Sequence, residues 1–325
     1  KIQGLVLLEG RRLWTLHETG ALAGWKLASS SEESAGAELA WEIQLEIEPC
    51  LLVTSSDRNE RLCIGGKRGA VIIVEPSESG EPALTRVSGH NDEITAIAFD
   101  PSAERVVTGS RDHTIKLWDL GEGADEDAEP ARMLDGCDSW PLAMSFSHDG
   151  SRLAAGAMDN GVYLWNLESD DTGTAGVVFE HHGWVVDVAW APGDAAIATA
   201  SWDNTIGIYG PETLQPRYSY EYHRDYVVSL LFIEGTDTLL SGGYDEQLCR
   251  WNWKKGELDG VVDAHADWIL GLRQLDDDRV ATLSSDQTVR IWNLDDLSLI
   301  ETLGSSITGG FELGSSVDMS SFVSG

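Results

Sequence analysis

The chain predicts an all-β fold assembled from repeats of one small sheet, and three observations carry that prediction. The stretch Gly89–Leu120, GHNDEITAIAFDPSAERVVTGSRDHTIKLWDL, holds three short β-branched, apolar runs bounded by Pro-, Gly- or Asp-rich breaks. A His or Cys stands 27 or 28 residues ahead of an aromatic residue five times: His90–Trp118, Cys137–Trp165, His181–Tyr209, His223–Trp251 and His265–Trp292. An Asp lies six residues before each of those aromatics, at Asp112, Asp159, Asp203, Asp245 and Asp286. Self-similarity at a fixed period of about 40 residues marks a repeat architecture, in which neighbouring units bury one another's apolar faces.

Composition sets the outer limits. With 325 residues and 42% hydrophobic content the chain can bury a large core within one closed domain. It has no apolar run long enough to span a bilayer, and KIQGLVLLEG at its start lacks a signal-peptide layout. It opens on Lys1 rather than Met, which fits a piece of a longer protein. Cys50, Cys63, Cys137 and Cys249 are scattered without metal-type spacing, as expected for reduced packing residues in a cytoplasmic or nuclear compartment. The formal charge of −33 disfavours phosphate backbones and anionic membranes as direct partners. Salt adaptation and a functional field would both produce such acidity.

The spacing makes physical sense inside a twisted four-stranded sheet. The His precedes the innermost strand, the Asp lies in the turn between the second and third strands, and the aromatic lies in the third. These three can meet, and a buried Asp accepting a hydrogen bond from the His would hold the loops together. Two earlier segments read as weaker copies: GLVLLEGRRLWTLHETGALAGWKL ends at Trp25, and PCLLVTSSDRNERLCIGGKRGAVIIVEP carries Val74 in the aromatic position. Outer strands are expected near Trp41–Ile47, Ala83–Val87, Ala131–Leu134, Ala175–Phe179, Arg217–Tyr220, Leu258–Val262 and Ser298–Leu303.

The Gly89-His90 and Trp118-Asp119 pairs, with the repeat register around them, resemble the WD-repeat (WD40-type) family of β-propellers over residues 2–303. The resemblance implies a seven-bladed β-propeller with four-stranded antiparallel blades around a central channel. The expected blades cover 2–47, 50–88, 94–134, 141–180, 185–220, 226–262 and 268–303. Residues 304–325 read as a Gly/Ser-rich tail or linker, within which ITGGFEL could form one more strand. In the family a Ser or Thr two residues before the Asp completes the network. That set is complete in His90–Ser110–Asp112–Trp118 and His265–Ser284–Asp286–Trp292, and His181–Ser201–Asp203–Tyr209 ends in Tyr. His223–Asp245–Trp251 has Gly243 at the hydroxyl position, while the fourth blade keeps only Asp159 and Trp165 and should hold its loop less firmly.

Enzymatic constellations are missing from the sequence: it has no Gly-rich phosphate loop, no GxSxG and no HExxH. His181–His182 is the one adjacent pair, with no further ligands near in sequence, so neither metal nor cofactor is expected. The stronger pattern is aromatic. Three residues after each His position come Glu93, Trp140, Trp184, Tyr226 and Trp268, and just before each turn Asp come Arg111, Met158, Trp202, Tyr244 and Ser285. Glu93, Arg111, Trp140, Met158, Trp184, Trp202, Tyr226, Tyr244 and Trp268 are the expected partner-binding residues of the His-loop (top) face, since rigid aromatics anchor interfaces. Ordinary packing of such Trp residues against their neighbours competes with that reading. Asp92, Asp225 and Asp267 flank them, with Asp187 below, which suits a cationic guest such as an Arg- or Lys-bearing peptide.

Three acidic loops, ASSSEESAGAE, GEGADEDAEP and ESDDTGTAG, are expected on the opposite face, as tolerant solvated loops or as a docking field for a basic partner. Family members acting as ubiquitin-ligase substrate receptors often carry Trp-Asp-x-Arg, whereas the matching positions here read WDLG, WNLE, WNWK and WNLD. The expected role is a non-catalytic scaffold that binds a protein or peptide, basic in character, within a larger complex. Two alternatives stand beside it: a propeller enzyme or ligand-binding domain using the channel, and a structural domain packing within a longer chain.

Overall fold

Alternating apolar residues separated by Gly, Asp and Asn turns fold this chain into short strands, and each set of four consecutive strands closes into its own antiparallel sheet. The structure is a computed structural model that describes residues 2–8, 12–27, 37–54, 61–75, 82–120, 129–169, 171–174 and 176–304. The fold class is all-β: the described residues form seven four-stranded sheets, the blades of a seven-bladed β-propeller. Among the described residues no helix is long and apolar enough to cross a membrane.

The described residues divide into two compact units, one running up to residue 133 and the other from residue 134 onward. The first unit holds blade 1 (β1 Ile2–Leu8, β2 Arg12–His17, β3 Ala21–Leu27, β4 Ala37–Gln44) and blade 2 (β5 Pro49–Thr54, β6 Leu62–Gly66, β7 Ala70–Glu75, β8 Ala83–Ser88). Blade 3 follows (β9 Ile94–Phe99, β10 Arg105–Ser110, β11 Ile115–Asp119, β12 Arg132–Leu134), its last strand ending at the boundary. The second unit holds blade 4 (β13 Pro141–Phe146, β14 Arg152–Ala157, β15 Val162–Asn166, β16 Gly176–Val178) and blade 5 (β17 Val185–Trp190, β18 Ile197–Ser201, β19 Ile206–Tyr209, β20 Pro216–Tyr220). It continues with blade 6 (β21 Val227–Phe232, β22 Thr238–Gly243, β23 Gln247–Asn252, β24 Glu257–Asp263) and blade 7 (β25 Ile269–Asp276, β26 Arg279–Ser284, β27 Thr288–Asn293, β28 Leu299–Gly304).

One outer strand departs from its expected place: β4 runs Ala37–Gln44 rather than Trp41–Ile47. Its register explains the shift. Trp41 lies opposite Gly24 and Leu39 opposite Trp25, and a Cβ on Gly24 would collide with the Trp41 indole. The apolar pairs therefore sit earlier in the segment than alternation alone suggests. The tail after Gly304, with its ITGGFEL strand, lies outside the described residues, as do most of the first two acidic loops and positions 170 and 175 of the third.

The core lies between consecutive blades within each unit. Ile64 and Val74 of blade 2 pack with Leu16 and Leu22 of blade 1, and Cys63 and Ile73 pack with Ile97 and Trp118 of blade 3. In the second unit Tyr209 packs with Leu164, Trp251 with Ile208 and Trp292 with Leu248. Second strands such as β18 are buried throughout, whereas β28 is exposed along its whole length, so polarity is graded from inner to outer strands. Burial on both faces is what turns the inner strands into continuous apolar runs.

Candidate functional site

Each well-marked blade is tied at its His-loop end by a relay of four side chains. In blade 3 the ring of His90 meets the Asp112 carboxylate at 3.1 Å through Nδ1 and the Thr108 hydroxyl at 2.8 Å through Nε2, and Trp118 Nε1–H donates to the same hydroxyl at 2.8 Å. One proton arrangement satisfies every group: the indole donates to Thr108, Thr108 donates to Nε2, and Nδ1–H donates to Asp112. Desolvation by burial lowers the His90 pKa, favouring the neutral ring that this arrangement requires, and His265 behaves alike for the same cause. Burial acts to raise the Asp112 pKa, yet the Thr114 hydroxyl, the Asn91 N–H and His90 together bring it below the usual carboxylate range.

The relay recurs with His223, Ser241, Asp245 and Trp251, and with His265, Thr282, Asp286 and Trp292. In blade 5 it runs through His181, Thr199 and Asp203, and the Tyr209 hydroxyl bonds Thr199 in place of an indole. The hydroxyl thus stands four residues before the Asp, not two. Ser110, Ser201 and Ser284 do a different job: each accepts the N–H of the turn Asp and donates to the carbonyl of Asp92, Gly183 or Asp267. Positions two and four back share a strand face, and the one deeper in the sheet is the one that reaches the indole. Gly243 therefore leaves blade 6 with its relay intact through Ser241. The repeating hydroxyl at Thr108, Thr199, Ser241 and Thr282, with Ala155 in blade 4, where Cys137 takes the relay His position, was the available signal.

Blade 4 substitutes its own lock. With Cys137 in the His position, the Tyr163 hydroxyl from β15 donates to Asp159 at 2.6 Å, and Trp165 Nε1–H donates to the Asp135 carbonyl at 2.8 Å. The Asp159 turn is held by a neighbouring strand rather than left loose, contrary to the expectation from Cys137 and Ala157. Tyr163 carried no sequence signal, because a Tyr two residues before the strand Trp reads as an ordinary packing residue.

Beside these relays a second repeated contact builds the rim. The N–H of the residue before each turn Asp bonds the carbonyl of the residue three after the His position. The pairs are Arg111–Glu93 (2.9 Å), Met158–Trp140 (3.0 Å), Trp202–Trp184 (3.0 Å), Tyr244–Tyr226 (2.8 Å) and Ser285–Trp268 (2.9 Å). In the first unit this brings Arg111 and Glu93 into an ion pair at 2.7 Å. In the second unit it seeds an aromatic ladder. Trp184 stacks on Trp202 with centroids 4.3 Å apart, Trp202 on Tyr226 at 4.9 Å, Tyr226 leans on Tyr244 at 5.5 Å, and Tyr244 stacks on Trp268 at 4.1 Å. Contacts within a blade alternate with contacts between blades, so five rings form one continuous column across blades 5, 6 and 7.

Carboxylates stand beside the column in fixed positions. Asp225 caps the N–H of Tyr226 and Asp267 caps that of Trp268, both at 2.8 Å. Desolvation, and then the charge of Asp225 and the neighbouring Tyr226, raise the Tyr244 pKa. Below them Asp187 follows a bulge in β17 and accepts the N–H of Val188 at 2.8 Å and of Leu230 in blade 6 at 2.7 Å. The residue is half-buried, but its carboxyl is walled in between the two inner strands, and desolvation pushes its pKa up to about 7. A cleft of about 420 Å3 opens among the same loops, lined by His182, Asp203, Asn204, Thr205, Glu221 and His223. Among the described residues no group of three or more His, Cys, Asp or Glu side chains has the geometry to hold a metal ion.

Comparison with known proteins agrees with this architecture. The family profile described as WD domain, G-beta repeat, matches residues 81–119, 128–166, 173–209 and 256–293. The chain is 26% identical over 276 residues to a ribosome biogenesis protein WDR12 homolog of Chlamydomonas reinhardtii, covering 74% of this chain and 61% of that protein. It is 23% identical to the nuclear distribution protein nudF of Aspergillus niger, over 82% of this chain and 56% of that one. With the WDR12 homolog of Nematostella vectensis it shares 26% identity, over 59% of this chain and 45% of that protein. The chain therefore spans about half of the length of these relatives. The crystal structure of the computationally designed Ika8 protein superposes with a TM-score of 0.77 at 21% identity, covering 93% of this chain and 86% of that one, which speaks for the fold.

Proposed function

We propose that this chain, a WD-repeat protein, is a non-catalytic interaction scaffold that takes its protein or peptide partner on the aromatic ladder of blades 5 to 7. One observation carries the reading. Five large rings on three consecutive blades form a preformed surface rather than five separate packing residues, and the exposed end of the column is Trp268, at 42% accessibility. Rigid aromatics of this kind are the commonest anchors of protein interfaces, because they bury much area at low entropic cost. The relays beneath hold the loops that carry the rings, so binding need not order them. Relatives whose names tie them to ribosome biogenesis and nuclear distribution fit a scaffold role in an intracellular complex. The cysteines, all free thiols, fit the same setting.

The test is a double substitution. Trp184→Ala with Tyr226→Ala removes two rungs without touching a relay, and it should abolish partner capture while the folded signal persists. Equal recovery of the same partners by the double variant would sink the ladder as the contact surface.

A further inference from the structure

We infer that the partner presents an arginine side chain, and that its guanidinium docks on the open face of Trp268 as the next rung of the ladder. The inference rests on the reading just proposed and deepens it. In blades 5 and 6 the residue before the turn Asp is a ring, Trp202 or Tyr244, that lies against the residue main-chain-bonded to it. In blade 7 the equivalent position is Ser285, with the same main-chain bond to Trp268 at 2.9 Å. The column ends there because the side chain that would continue it is too small. Trp268 keeps one face against Tyr244, nearly parallel at 2°, and is the member of the column with large exposed area. A flat group supplied by another molecule can occupy the place that a ring takes in the two preceding blades.

Charge selects which flat group. A cation is drawn to the face of an aromatic ring, and of the two rings that end the column Trp268 is the one with large exposed area. Asp267, pinned to the Trp268 N–H at 2.8 Å, fixes a carboxylate one residue from that ring. The loops from 181–184, 202–205, 221–226, 244–247, 264–268 and 285–288 carry seven acidic side chains against a single arginine, Arg224. Three of the seven, Asp203, Asp245 and Asp286, are held by their histidines, which leaves Glu221, Asp225, Glu246 and Asp267 to set the local field. A guanidinium is planar, permanently charged, weakly hydrated and able to pair with a carboxylate while it stacks. An ammonium meets the charge requirement alone, and a neutral ring meets the planarity requirement alone.

The experiment titrates the intact protein with blocked pentapeptides Gly-Gly-X-Gly-Gly, where X is arginine, lysine, citrulline or tyrosine. The readout is the indole N–H signal of Trp268 by NMR, assigned by its loss in Trp268→Phe. The arginine peptide should shift that signal saturably and bind about fivefold more tightly than the lysine or the uncharged, planar citrulline peptide. Ser285→Tyr should fill the vacant rung and weaken the arginine peptide about fivefold, whereas Ser285→Ala should leave it unchanged. Asp267→Asn keeps the cap but removes the charge, and should weaken arginine binding about threefold even if Ser285→Tyr fails to fold. Equal binding of citrulline or tyrosine, or indifference to both substitutions, would overturn the inference. If the natural partner crosslinks to the ladder while no arginine peptide binds, this inference falls and the scaffold reading stands.

Discussion

Replacing Thr282 by Val tests the relay most sharply, because the two side chains have the same shape and differ by a hydroxyl. Thr282 is fully buried, and its Oγ1 stands 2.6 Å from His265 Nε2 and 2.9 Å from Trp292 Nε1. Its one proton goes to His265 rather than to the Arg290 carbonyl 3.4 Å away. Thr282→Val therefore strands one buried donor, the indole N–H, and one buried acceptor, the imidazole Nε2. Each costs about 1–3 kcal/mol, so the pair should cost about 2–6 kcal/mol. Ser284→Ala removes only the two partly buried turn bonds to Asp267 and Asp286, both at 3.0 Å, and should cost about 1 kcal/mol. Urea unfolding followed by tryptophan fluorescence measures both, as midpoint shifts at constant slope. The reasoning is refuted if Ser284→Ala costs as much as Thr282→Val, since the hydroxyl that matters would then be the one two residues before the Asp.

Two further substitutions probe other parts of the unit. Tyr163→Phe removes the donor that holds Asp159 in blade 4 and should lower stability by about 1–3 kcal/mol; an unchanged melting midpoint would mean that this turn is held by something else. Asp187 has a folded pKa raised to about 7, so the stability it contributes is full below the unfolded carboxyl value of about 3.9 and is lost as pH rises through 7. Asp187→Asn should therefore be less stable than the parent at low pH, where one main-chain N–H loses its acceptor, and should gain on it steadily up to neutrality. A constant difference across that range would show that the carboxyl titrates normally.

Much of the fold was legible because its signals are local. Turn residues and short β-branched runs recur at one spacing, and every sheet is made of four consecutive strands, so no long-range pairing had to be guessed. The shift of β4 escaped because the partner of Trp41 is a glycine, and a side chain resting over an empty Cβ position leaves no trace in alternation. The relay hydroxyl was misassigned for a related reason. Ser110 and Thr108 point to the same side of β10, and only the depth of the sheet decides which one meets Trp118. The rim residues were legible as positions three after the His and one before the Asp. Their union into a column was not, because stacking between blades depends on how neighbouring sheets are rotated, and a one-dimensional pattern does not carry that angle.

The central claim is that partners meet the ladder. Crosslinking mass spectrometry on the protein in native lysate, run in parallel with the Trp184→Ala, Tyr226→Ala double variant, tests it most directly. The account predicts that one recurrent protein crosslinks to residues in the 221–226 and 264–268 loops, and that those crosslinks vanish in the double variant. Crosslinks confined to the outer strands or the acidic loops, or loop crosslinks that persist in the variant, would contradict it.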